Sequence, residues 1–379
     1  MNEKVRNHYM FRLGMSGEIL SLKVRDRAPA PPSSAGDELR HMLADDLIRY
    51  FRHPDRKRTY RICDPAGFDW IDNMDPRLSE HVEVLAGKKG ARYPGGKEYR
   101  LKKRREAMLI NAFLDAGFNV DGAGFENKEH LFYSPTLTDA TEIIRSAPKR
   151  MPLYISGPIL KRKTQDMQHT RREMSIQSGT IFSETGPICV YIISTPKFRW
   201  YAASETQTAI DIRRMYEDAL DIERSRDRRL KAVIFAETGK VAEDLLKMSG
   251  KEESRMDPTA IYRLCYVIPT EDESHAMDVA KMLTIPDWRN KINKILGLSS
   301  SPGNDEDGRT ESGKPIYNLL CCNLGRIKEI ESRIRRKRCR LIVHDWQKEV
   351  LESVYDTGLD AMVLSPSHFR GLLLAAERE

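Results

Sequence analysis

From Gly179 onward the chain alternates two rhythms, short apolar runs at strand spacing and longer segments with apolar residues every three or four positions. Gly179 to Ser183 and Cys189 to Ser194 read as strands joined by the turn Glu184 to Pro187, with Phe198 to Tyr201 as a possible third and a helix from Ser204 to about Ile222. Ala232 to Phe235 precedes a helix at Val241 to Met248, and Tyr262 to Ile268 precedes one at Ser274 to Leu283. The alternation continues with Ile316 to Cys322 before Arg326 to Arg336, Leu341 to His344 before Gln347 to Tyr355, and Ala361 to Leu364 before Phe369 to Ala376. Such a succession predicts an α/β layered domain with a largely parallel sheet. The Ser, Gly, Asp and Pro of Leu298 to Gly313 interrupt it and read as a mobile loop.

The first third is less regular. Tyr9 to Tyr50 reads as short helices separated by a loop from Ala28 to Gly36, where Pro29, Pro31 and Pro32 oppose a continuous helix. Asp37 is then placed to cap a helix carrying Leu39, Met42, Leu43, Leu47 and Ile48. A basic loop follows, with Arg52, His53, Arg56, Lys57 and Arg58, then a β-prone stretch from Thr59 to Cys63 that includes Arg61, and a turn at Asp64 and Pro65. Helix, basic loop and short strand in this order match the last helix and wing of a winged helix-turn-helix; a solvated basic turn gives the same pattern. Leu101 to Ala116 reads as a helix ended by Gly117. Leu153 to Ser156 reads as a strand, and a domain boundary is expected between 118 and 155.

Charge sharpens this picture. The 379 residues carry a formal net charge of +7, and a basic surface gains free energy by displacing counterions from a polyanion. The cations cluster: Lys88 to Arg105 holds Lys102, Lys103, Arg104 and Arg105 among nine basic residues against one acid, Glu98. Lys161, Arg162 and Lys163 form a second group, Lys197 and Arg199 a third, and Arg333 to Arg340 a fourth at a helix end, where the backbone dipole alone favours cations. Six cysteines show no metal-ligand spacing and no disulfide framework, which fits a reducing cytoplasm. The N-terminus lacks an apolar core long enough for a signal peptide, and no stretch approaches the roughly 20 apolar residues of a membrane helix.

The stretch from Met174 to Ile212, MSIQSGTIFSETGPICVYIISTPKFRWYAASETQTAIDI, resembles a segment of the replication-relaxation family of plasmids and integrative conjugative elements in Gram-positive bacteria. RTYRI at Arg58 to Ile62, KKRREAMLINAFLDAGF at Lys102 to Phe118, and YRLCYVIPTEDESHAMDVAKMLTIPDW at Tyr262 to Trp288 extend the likeness in order. The resemblance implies a winged-helix N-terminal domain and a C-terminal domain similar to restriction-endonuclease-like folds, in proteins of plasmid replication, DNA relaxation or conjugative transfer. The proline-rich loop at Ala28 to Gly36 departs from that pattern and weighs against base reading by a recognition helix there.

A nuclease of that kind needs an acid at the end of one strand and an acid and a lysine on the next, to hold Mg²⁺ and activate water. Here the first strand ends without an aspartate and the second contains no acid. Glu184 and Glu205 are the nearest carboxylates and Lys197 the nearest lysine, so these three are the weak catalytic candidates. Neither a phosphate-cradling GxxxxGK[ST] loop nor a GxGxxG turn is present, and no HxH pair of the HUH relaxase type occurs. His344 stands at a strand end, where α/β proteins often place ligands.

The sequence therefore predicts an α/β protein (α+β overall): a winged-helix-like basic domain over residues 1–125 and an α/β domain, a degenerate restriction-endonuclease-like one on the resemblance, over 126–379, with the loop near 298–313. The function expected is that of a non-catalytic DNA-binding accessory protein of a mobile element, without cofactor or metal. Its DNA-contacting residues are Arg56, Lys57, Arg58, Arg61, Lys102, Lys103, Arg104, Arg105, Lys161, Arg162, Lys163, Lys197 and Arg199. The alternatives are a Mg²⁺-dependent nuclease or relaxase with a rearranged site, and a module that docks on a replication or transfer protein.

Overall fold

The computed structural model describes all residues except 1, 22–26, 28, 87–95, 127–129, 149–150, 163–174, 196–201, 223–229, 249–257 and 299–304. The fold is mixed α/β and divides into two units, Met1–Gln168 and His169–Glu379.

Unit 1 is built around a helix that is enclosed on almost every side. Helix α1 (Glu3–Ser16) buries Tyr9, Met10, Phe11 and Leu13, and also Arg6, His8 and Arg12. The buried cations are paired, as burial requires. Arg6 Nε lies 2.7 Å from Glu38, and Arg12 lies 2.8 Å from Asp115. Gly14 lets α1 and Leu78 approach closely, because a Cβ there would stand 2.8 Å from the Leu78 side chain and force it to shift.

Strand β1 (Ile19–Leu20), helix α2 (Pro32–Ala44), and strands β2 (Ile48–Arg52) and β3 (Arg58–Ile62) follow, and the three strands pair antiparallel in the order β1-β3-β2. Two expectations are corrected here. The segment from Pro32 to Gly36 is the first turn of α2 and not loop, since proline is tolerated at a helix start where its missing N–H has no partner to lose. Ile48 begins a strand instead of ending that helix: Asp46 takes a left-handed conformation (φ 53°), and Ile48 pairs with Ile62 across the hairpin.

Helices α3 (Ala66–Met74), α4 (Pro76–Ala86) and α5 (Lys97–Asp115) complete the helical layer around α1. Gly117, at φ 81°, turns the chain out of α5. Four strands then form a mixed sheet ordered β7-β4-β5-β6, from β4 (Asn119–Val120), β5 (Ala123–Glu126), β6 (His130–Tyr133) and β7 (Leu153–Ser156). Helices α6 (Ala140–Ser146) and α7 (Gly157–Arg162) flank β7 in sequence.

Unit 2 carries the alternation expected, but shared between two sheets. In the first, β9 (Ile188–Ile193), β10 (Lys231–Ala236) and β11 (Leu264–Pro269) run parallel, and β8 (Gly179–Phe182) pairs antiparallel on β9. Helices α8 (Ala202–Leu220) and α9 (Gly239–Met248) are their crossovers, with the short α10 (Pro258–Ile261) before β11. These strands are apolar almost throughout because both faces are covered.

After β11 come α11 (Glu273–Met282) and α12 (Trp288–Ile295), and then the second sheet. It comprises β12 (Gly308–Arg309), β13 (Pro315–Asn318), β14 (Arg340–His344) and β15 (Ala361–Leu364), the last three parallel, with α13 (Leu324–Arg335), α14 (Asp345–Tyr355) and α15 (Pro366–Arg378). The span 298–313, read from sequence as loop, thus contributes a paired edge strand and a buried aspartate, Asp307. The strand at Phe198 to Tyr201 lies outside the described residues. Among the described residues no helix is long and apolar enough to cross a membrane, and all six cysteines are free thiols.

Candidate nucleic-acid interface

Among the described residues of unit 1, one hairpin carries a cluster of exposed basic residues. In β2 and β3, Arg49 faces Arg61, Tyr50 faces Tyr60, and Arg52 faces Arg58. Arg49, Tyr50, Arg52, Arg56, Lys57 and Arg58 are exposed. Tyr50 and Tyr60 lie with ring centroids 4.7 Å apart and hydroxyls 2.8 Å apart, so an aromatic surface stands among the cations. The turn closes through the His53 N–H on the Lys57 carbonyl and the Arg56 N–H on the His53 carbonyl, both at 2.9 Å. Arg56 itself is left-handed (φ 66°).

What holds this hairpin is a buried carboxylate. Glu18, which immediately precedes β1, is 1% exposed and accepts through Oε2 from His53 Nε2 and Thr59 Oγ1, each at 2.7 Å, and from Arg61 at 3.3 Å. Burial pushes its carboxyl up, but the bonds from His53 and the Arg61 charge outweigh that and leave it below its ordinary value. The Arg61 guanidinium also lies 3.4 Å from the Phe51 ring centre. The Glu18 carbonyl accepts from Asn111 on α5 at 3.2 Å, and Asp55 in the hairpin turn is paired with Arg104 of the same helix.

The sequence-predicted cations therefore occupy different places. Arg56, Lys57 and Arg58 are on the surface, whereas Arg61 and Arg104 are buried in ion pairs that fasten the hairpin. Lys102 is exposed, Lys103 and Arg105 are half-buried, and both lysines approach Glu106. Lys161 is exposed on α7, and Arg162 is the last residue of that helix. Lys163, Lys197 and Arg199 lie outside the described residues. Arg49 and Tyr50 were missed because the stretch was read as helix, although alternation in IRYFR carried a strand signal. Ser33, Ser34, Asp37, Arg40 and His41 are exposed on α2.

The catalytic candidates in unit 2 are separated by burial. Glu184 is exposed in the β8–β9 turn. Glu205 is fully buried and accepts from the Ile176 N–H at 2.9 Å, Ser175 Oγ at 2.8 Å and the Tyr191 hydroxyl at 2.7 Å; Tyr191 is in turn bonded to Tyr262. It is an internal acceptor that ties α8 to the sheet. His344 is also fully buried; its Nδ1 is 3.0 Å from His275 Nε2 and its ring stacks on Trp346. Burial, and secondarily the His275 charge, pushes His344 down to about 3. Among the described residues no three His, Cys, Asp or Glu side chains are grouped so as to hold a metal ion.

Comparison of this chain with protein-family models, with curated proteins and with solved structures gave no match.

Proposed function

We propose that the chain is a DNA-binding accessory protein in which unit 1 works as a winged helix, with α2 toward the major groove and the β2–β3 hairpin as the wing on the phosphates. The observation that carries this reading is the order α1, β1, α2, β2, β3 with a β1-β3-β2 sheet, whose hairpin presents Arg49, Arg52, Arg56, Lys57 and Arg58 to solvent. Arg49, Arg52 and Arg58 are held on the paired strands, and Arg56 and Lys57 on the short hydrogen-bonded turn between them, which limits the entropy lost on backbone contact. Tyr50 adds an amphipathic ring beside them. Under the same reading unit 2 is a degenerate restriction-endonuclease-like scaffold whose Glu205 serves packing, and the mobile-element setting follows from the replication-relaxation resemblance.

Fluorescence anisotropy of labelled duplex over a salt series tests this. The full chain is expected to bind with a steep dependence, and the combined R56A, K57A and R58A variant to lower the log–log slope by about 2–3, close to three phosphate contacts at about 0.9 each. Arg40→Ala on α2 is expected to weaken binding in a sequence-dependent manner, since a helix in the groove meets base edges. An unchanged slope in the triple variant removes the hairpin from the interface.

A further inference from the structure

Unit 2 contains a cleft of ≈ 400 Å³ lined by the first residue of β10, the start of β11, the loop into α12 and the segment after β13. Its size is in the range of small-molecule sites. Three cations line it: Lys231, Arg289 and Arg326.

The hydrogen bonds around these cations leave a defined remainder. Asp307, 3% exposed, takes Arg289 Nε at 2.6 Å and Asn293 Nδ2 at 2.7 Å on one oxygen, and Arg326 at 3.0 Å and the Asn318 N–H at 2.8 Å on the other. One carboxylate therefore serves two guanidiniums and has no further capacity. The two terminal amino groups of Arg289 make no hydrogen bond among the described residues, and Arg326 Nε is buried without an acceptor. Among the described residues the Lys231 ammonium donates only to the Thr185 carbonyl, at 2.8 Å, and meets no carboxylate. Asp287, the lining acid, is exposed and accepts from Asn290. One buried donor without an acceptor, on Arg326, beside the part-exposed amino groups of Arg289 and the Lys231 ammonium, makes a site suited to an anion with several oxygens.

The rest of the wall is apolar and aromatic, with Leu264, Ile285, Tyr266 and Trp288. We propose that this cleft binds a 5′-nucleotide, its phosphate on Lys231, Arg289 and Arg326 and its base against Trp288 and the apolar wall. Burial, with the Arg263 charge second, pushes Lys231 down to about 8, so the ammonium is still charged at pH 7. The site is independent of the hairpin in unit 1.

Isothermal titration of the full chain at pH 7 with dAMP, deoxyadenosine and inorganic phosphate tests the proposal. Saturable dAMP binding is expected, at least tenfold tighter than either fragment, because only dAMP engages the cations and the apolar wall together. Lys231→Met is expected to weaken dAMP at least tenfold with an unchanged circular dichroism spectrum, since among the described residues Lys231 makes a single bond, to a backbone carbonyl. Lys231→Arg is expected to restore most of the affinity. No saturation by about 10 mM dAMP, equal affinity for dAMP and deoxyadenosine, or indifference to Lys231→Met overturns it. A 5′-phosphorylated oligonucleotide that displaces dAMP identifies the natural source as a strand end; one that does not identifies it as free nucleotide.

Discussion

Two buried carboxylates, one in each unit, do opposite things with the cations around them. Glu18 gathers His53, Thr59 and Arg61, all from one hairpin, and the cations left over lie outside that cluster in solvent. Asp307 gathers Arg289 and Arg326 from two helices, and both arginines line a cleft. A charge removed from water must be compensated in both cases. Among the described residues neither cluster is fully satisfied: Glu18 Oε1 and His53 Nδ1 are buried without a partner in one, and Arg326 Nε in the other. The difference is where the partners sit, since Glu18 fastens one hairpin whereas Arg289 and Arg326 line a cleft.

The comparison can be broken experimentally, the largest effect being expected from acid. His8 in unit 1 and His344 in unit 2 are both held at about 3 against an ordinary value of 6.5, chiefly by burial, with Arg12 and His275 respectively as second causes. Because the folded value lies below the unfolded one, their contribution is complete above pH 6.5 and is lost as pH falls toward 3. Each adds a slope of about 1.4 kcal/mol per pH unit between those two values. Urea unfolding from pH 7 to pH 4 should follow that slope, and His344→Gln should flatten it for unit 2 alone; a pH-independent midpoint contradicts the neutral-histidine account.

Asp307→Ala comes next. It strands two guanidiniums, and a loss of about 3–5 kcal/mol in the urea-unfolding free energy of unit 2 is expected. A smaller loss, about 1–3 kcal/mol, is expected for Glu18→Gln, which keeps the acceptor oxygen but removes the charge facing Arg61; DNA affinity should fall with it as the hairpin loosens. The smallest effect belongs to the exposed R56A, K57A and R58A set, within about 0.5 kcal/mol per residue for stability. Should that set destabilise as much as Glu18→Gln, the division between fastening and displayed cations is wrong.

Unit 2 was legible in the sequence because each crossover switches the apolar spacing from two residues to three or four, and those switches survive in the observed strands and helices. Its division into two sheets was not legible, since spacing does not report which strands pair. In unit 1 the reading failed where two cues conflicted. Pro31 and Pro32 look like breakers yet start α2, and Leu47 and Ile48 continue a helical spacing that the pairing with β3 overrides.

Charge runs marked the turn and second strand of the hairpin, not its first strand, and could not tell Arg58 from Arg61. The partner of Arg61 is 43 residues away, and that of Arg104 is 49 residues away. The cleft was invisible for the same reason: Lys231, Arg289 and Arg326 share no local pattern and meet only through the fold.

Glu18 touches the hairpin with its side chain and α5 with its carbonyl, while Asn111 of α5 also accepts from Arg12 of α1 at 3.4 Å. Opening the hairpin therefore means breaking bonds to the helical layer as well. The amides paired between β2 and β3 are expected to show hydrogen-exchange protection that tracks that of α1 and α5, while the outward amides of the edge strand β2 exchange freely.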